Sequence, residues 1–237
     1  DLIFWTGPAY ETFLQRPLAG LGGRTQVVEL ARAPGVTMLP ARGGGGWEAD
    51  DDRRPPAPRR GRPADIELDG HMFLDPDNAK AIARVASIFL AAVDQEHGPH
   101  YRYNASRLAE RIDALDGEIE LLLEPVKKRP FIVFHDAYQY LEHRYGLTAV
   151  GSVTVSPDRA PGAQRVRELR SKIIAAKAVC VFSEPQFRPA LVATLIEGTR
   201  AKTAVLDPLG ASLPVEAESY FKTMGALARS LAGCLVD

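Results

Sequence analysis

From residue 130 onward, short apolar runs alternate with stretches of helical periodicity, and this alternation limits the possible folds more than any other feature. Residues 131–134, 150–155, 179–182 and 203–206 read as strands. Residues 138–145, 165–177, 189–197 and 217–235 read as the helices between and after them. Strands separated by helices of this length form βα units, and such units build a parallel sheet. Buried parallel strands are apolar along their length, and ligands gather beyond their carboxyl ends.

The first half repeats the pattern on a smaller scale. Residues 2–5 and 27–30 read as strands, and 10–18 as a short helix with Phe13 and Leu14 as apolar contacts. Residues 76–125 are helical. Pro76 suits a first turn, with Asp75 as its N-cap. Ala79, Ile82, Ala83, Ala86, Phe89, Leu90 and Val93 recur at helical spacing until Gly98 and Pro99 interrupt it. A second helix over 99–123 carries a narrow stripe of Leu108, Ile112, Leu115, Ile119 and Leu122. At 1.5 Å per residue it would be about 38 Å long, a rod between two lobes. The expected class is therefore α/β: an N-terminal lobe over 1–98, a linking helix over 99–126, a C-terminal lobe over 127–237, and a ligand site in the cleft.

Residues 42–66 differ from the rest. Four glycines (43–46) lead to Asp50, Asp51 and Asp52, then to a run rich in arginine and proline. So few apolar residues cannot offset the entropy of ordering, so the stretch reads as a mobile, solvated loop. Its three aspartates could hold a cation only weakly. Across the whole chain the net charge is -1, which supplies no electrostatic footprint for nucleic acid or a membrane surface. No apolar run approaches the roughly 20 residues that span a bilayer. No signal peptide is present, and a start at Asp1 rather than Met reads as a processed product or a fragment. Cys180 and Cys234 fit either one disulfide or two buried thiols.

The chemistry lies in the histidines. Only five are present, and two stand in informative places. His135 closes the apolar run FIVF and precedes Asp136. His71 stands in GHMFLDP. Imidazole is the commonest protein ligand for a borderline metal such as zinc. Asp207 and Glu184 each follow a strand and precede proline or a proline-containing turn. Asp207 reads as a further ligand, whereas Glu184 reads as a local cap. Two imidazoles with a carboxylate suit zinc, and also manganese or iron(II). His97 and His100 flank the helix break and read as a solvated turn. His143 lacks the partner that an inverted zinc-protease motif needs, because Gln139 stands in its place. No nucleophile elbow, P-loop or dinucleotide fingerprint appears.

Three segments resemble the zinc-binding component of bacterial high-affinity zinc ABC transporters, within the wider cluster of metal-binding solute receptors. They are DLIFWTGPAYETFL at 1–14, GHMFLDPDNA at 70–79, and nearly all of 129–235, including FIVFHDAYQYLEHRYGL, PGAQRVREL, VFSEPQFRPALV and VLDPLGASL. The resemblance implies two α/β lobes joined by one long rigid helix, with the metal between them. It carries His71, His135 and Asp207 over as metal ligands and pairs Cys180 with Cys234. It implies Zn2+ as the transported ligand and a monomeric, periplasmic receptor with an ABC permease as partner, not an enzyme. Two departures stand out. The family draws a further histidine from a segment ahead of the strand that begins this chain, so one expected ligand and one strand are missing. The family's loop before the His71 motif is often rich in histidine, and here it has none. Three other readings remain: a manganese or iron receptor of the same fold, a metal-dependent hydrolase with Glu184 or Asp136 as base, and a surface adhesin.

Overall fold

The computed structural model describes residues 1–21, 23–42, 67–154, 162–186 and 189–236. Apart from Arg42, the loop expected over 42–66 lies outside the described residues. The chain divides into two compact units, Asp1–Ala41 with Ile66–Gly117, and Arg42–Asp65 with Glu118–Asp237.

In the first unit, β1 (Leu2–Trp5) and β2 (Gln26–Glu29) form a two-stranded parallel sheet, with Leu2 opposite Gln26 and Trp5 opposite Glu29. The single helix expected over 10–18 is instead a 3₁₀ turn (Thr12–Leu14) running into α1 (Gln15–Ala19). Pro17 has no N–H to give to the carbonyl of Phe13, so regular α-helix starts only at Gln15. Phe13, expected as a contact, is exposed. Helix α2 (Pro76–Val93) begins as anticipated, with Asp75 accepting a hydrogen bond from the Asp77 N–H and Pro76 in the first turn. Its Val85 and Phe89 pack with Leu2, Phe4 and Val28, and the rings of Phe4 and Phe89 meet edge to face at 6.4 Å.

Helix α3 (Gly98–Leu123) is 26 residues long and begins in the first unit and ends in the second. Its buried stripe runs through Ile112, Ile119 and Leu123. Leu122, expected in that stripe, is exposed, because the step from Ile119 is four residues rather than three. Among the described residues no helix is long and apolar enough to cross a membrane.

The second unit holds β3 (Phe131–His135), α4 (Gln139–Tyr145), β4 (Ala149–Thr154), α5 (Ala163–Ala175), β5 (Cys180–Ser183), α6 (Pro189–Ile196), β6 (Lys202–Val205) and α7 (Ser219–Leu235). The four strands form one parallel sheet in the order β4-β3-β5-β6. Every residue of β3 is buried, as its unbroken apolar run requires. Ile132, Phe134, Val153 and Val181 pack with Leu169 and Ile173 of α5 and with Val192 and Leu195 of α6. Helix α4 stops at Gly146, whose φ of +64° costs glycine little. Cys180, first in β5, is joined to Cys234 in the last turn of α7, with Cα atoms 6.2 Å apart. The fold is therefore two parallel sheets with flanking helices, one of them long.

Candidate metal centre

Strand register builds the surroundings of His135 in the second unit. β3 and β5 are neighbours, and Phe131 pairs with Cys180 and Ile132 with Val181. Carried four residues on from Phe131 and Cys180, that register sets His135 level with Glu184. Among the described residues, the contacts of Glu184 run to β3 and the residues after it rather than to a local cap before Pro185. Its Oε1 lies 2.6 Å from Nδ1 of His135 and 3.3 Å from the His135 backbone nitrogen, and it accepts from the Tyr138 hydroxyl at 3.3 Å. Both His135 and Glu184 are buried.

Asp207 follows β6, on the far side of β5 from His135. Its Oδ2 accepts from the backbone N–H of Ser212 at 3.0 Å and from the Ser212 hydroxyl at 2.9 Å. Its Oδ1 is buried and has no hydrogen-bond partner among the described residues. A buried carboxylate oxygen with no protein donor can accept from a water or face a cation. Burial raises the pKa of Asp207, yet donors from Ser212, Ala211 and Gln186 together outweigh it and hold the carboxyl below its ordinary range. Tyr138 senses this corner. Burial first, then Glu184 and Asp207, push its phenol well above the usual value, so it stays a neutral donor.

The first unit presents His71 by a parallel device. The chain around it is held by an antiparallel bridge between Pro40 and Leu68 and by the Asp69 N–H donating to Leu39 O at 2.8 Å. Buried Asn78 of α2 fastens the following turn, accepting from the Thr37 N–H and donating to the carbonyls of Thr37 and Met72. Buried Asp69 uses one oxygen, Oδ1, for both the His71 backbone N–H (2.9 Å) and the ring Nδ1 (2.7 Å). Gly70 allows the turn to lie close to the segment after β1: a Cβ there would meet the Cβ of Tyr10 at 2.8 Å. The Tyr10 ring stands edge-on to His71 at 5.4 Å, and burial, helped by Glu11, pushes its phenol up to about 12.

The two histidines share one arrangement. In each, a single oxygen of a buried carboxylate faces the backbone nitrogen and Nδ1 of the same residue, and a tyrosine ring lies alongside. A carboxylate only accepts, so each ring carries a proton on Nδ1, and Nε2 is the nitrogen left to face a metal. Carboxylate–histidine pairs of this kind orient metal ligands and raise their basicity. Among the described residues, no three histidine, cysteine, aspartate or glutamate side chains form one group that could hold a metal ion. What the structure displays is a prepared histidine in each unit and, in the second, Asp207 near Tyr138.

The remaining candidates divide cleanly. Exposed His97 is engaged by Asp94 through Nδ1, in keeping with a solvated turn. His143 lies exposed on α4. Two participants had weak sequence signals. Glu184 shows only as an acid two residues past an apolar run and directly before a proline. Arg42 stands at the edge of the charged loop and gave no local sign, yet it reaches Asp136 and Glu142, one and seven residues past His135.

These units have the fold of the metal-binding solute receptors: a crystal structure of ZnuA superposes with a TM-score of 0.76, covering 98% of this chain and 79% of that one at 23% identity. The family model for the periplasmic zinc-uptake complex component A, ZnuA, matches residues 1–234, and the chain belongs to that family. It is 44% identical to the high-affinity zinc uptake system protein ZnuA of Brucella abortus (strain 2308), over 99% of this chain and 76% of that protein. It is 32% identical to the protein of the same name from Yersinia pestis, again over 99% of this chain and 76% of the relative.

Proposed function

We propose that this protein is the extracytoplasmic receptor of a zinc ABC importer, capturing Zn2+ and delivering it to a membrane permease. The observation that carries this reading is the repeated histidine arrangement. His71 and His135 each have Nδ1 engaged by a buried carboxylate, which directs the lone pair to Nε2 for a metal. Asp207, whose Oδ1 has no hydrogen-bond partner among the described residues, is the third protein ligand. The donor set of two imidazoles and one carboxylate suits zinc, and water completes a tetrahedral shell. Its chemistry is capture rather than catalysis, as in a family of receptors and not of enzymes.

In this reading the N-terminal lobe (1–98) supplies His71 and the C-terminal lobe (127–237) supplies His135 and Asp207, with the helix over 99–126 between them. The receptor works in the periplasm, where the Cys180–Cys234 disulfide is stable, and as a monomer, without nucleic acid. Metal binding requires deprotonated imidazole, so protons compete with zinc and acidification favours release. A manganese or iron receptor would be expected to draw on more carboxylates.

Calorimetric titration of zinc into the cation-free protein, into His135→Ala and into His71→Ala tests the assignment. One zinc per chain and a marked loss of affinity in each variant are expected. Equal affinities across the three proteins would sink the assignment.

A further inference from the structure

Arg42 is half-buried, and its guanidinium grips two carboxylates at once. Nε and Nη2 donate to Asp136 at 3.0 and 2.5 Å, and Nη1 and Nη2 donate to Glu142 at 2.7 and 2.8 Å. The side chains of all three residues are largely shielded from solvent. Asp136 follows His135 directly, and Glu142 lies one helix later on α4. One cation therefore ties together both ends of the segment that leads away from the proposed ligand.

The chemistry of this grip goes beyond holding the turn. Each carboxylate gives both of its oxygens to the fork, the strongest geometry open to this pair of groups. Oxygens so engaged are poorly placed to coordinate a cation. Carboxylate-rich sites favour manganese and related hard ions, whereas imidazole suits zinc. We infer that Arg42 is a positioning residue that sets metal preference: it withholds Asp136 and Glu142 from the ion and keeps the donor set at His135 rich in nitrogen. This inference rests on the zinc reading above.

The test compares wild type, Arg42→Met and the triple variant Arg42→Met/Asp136→Asn/Glu142→Gln, each stripped of cations and titrated separately with Zn2+ and Mn2+. In Arg42→Met the preference for zinc over manganese should fall about tenfold, the lower end of the effects seen when outer partners of metal ligands are lost. Zinc-edge X-ray absorption should then show an added oxygen donor. The triple variant lacks the released carboxylates and should regain the wild-type preference. It also removes the uncompensated buried charges. Where Arg42→Met folds poorly, Arg42→Met/Glu142→Gln, which leaves Asp136 alone released, takes its place and should show the same fall in zinc preference. An unchanged zinc-to-manganese ratio in folded Arg42→Met overturns the inference alone. So does a triple variant whose preference departs from that of wild type, since a general distortion would produce that result. Wild type that fails to bind zinc overturns the functional reading itself.

Discussion

Oε1 of Glu184 stands 2.6 Å from Nδ1 of His135, and the same oxygen faces the backbone nitrogen of that histidine. Glu184→Gln keeps the shape but removes the charge that favours a proton on Nδ1. Zinc affinity should drop roughly 10- to 100-fold while the fold is retained. Competition with a fluorescent zinc chelator measures this. Wild-type affinity in Glu184→Gln would show that the contact is structural only.

Asp69→Asn should act on His71 as Glu184→Gln acts on His135. The expected loss is again roughly 10- to 100-fold in zinc affinity. A double variant, read in a mutant cycle, should cost close to the product of the two losses, because the carboxylates serve different histidines.

Gly70 has no room for a side chain. A Cβ would press on Tyr10 Cβ at 2.8 Å and on the Ala9 backbone at 3.0 Å. Gly70→Ala should therefore destabilise the protein by about 1–3 kcal/mol, the usual cost of overpacking. It should also weaken zinc binding, because Asp69 and His71 flank the displaced residue. Urea denaturation with and without zinc separates the two effects.

The disulfide between Cys180 and Cys234 closes a loop with a sequence separation of 54. On the loop-entropy model such a closure is worth about 4 kcal/mol. Cys180→Ser/Cys234→Ser should lose stability of that order in chemical denaturation, and dithiothreitol should lower the melting temperature of wild type but not of the variant.

Asp207 links stability to pH. Its carboxyl titrates below the ordinary aspartate range. The folded state therefore gains from it fully above the unfolded pKa, and loses that gain as pH falls through the folded one. Asp207→Asn should give a flatter stability curve across that acidic interval in cation-free protein, seen in urea titrations at a series of pH values. An identical curve would remove Asp207 from the linkage.

The elements were largely legible from residue patterning. All four strands of the second unit and the helices between them lie within a few residues of where the alternation put them, because buried parallel strands carry their own apolar signature. The N-cap at Asp75 was legible for a similar local reason. What patterning could not reveal was strand order. Glu184 reads as a cap when only Pro185 is considered, and becomes a partner of His135 only because β5 lies beside β3. The same holds for Arg42, whose two acceptors lie about a hundred residues away. Leu122 and Phe13 were misplaced by smaller causes, a single helical step and one proline. The reading of His71 and His135 as ligands of one ion is a proposal, supported by the resemblance and by their shared carboxylate arrangement.

The Cys180–Cys234 bond also has a topological meaning. It turns residues 180–234 into a covalent ring, and both Glu184 and Asp207 lie on it. His71 and His135 lie on the open strand of chain that precedes the ring. An oxidised but unfolded molecule thus keeps Glu184 and Asp207 on one tethered circle while His71 and His135 stay on the open chain. Folding must thread β3 against the ring's first strand to bring an imidazole to its carboxylate, so the preparation of His135 is complete only when ring and thread have docked.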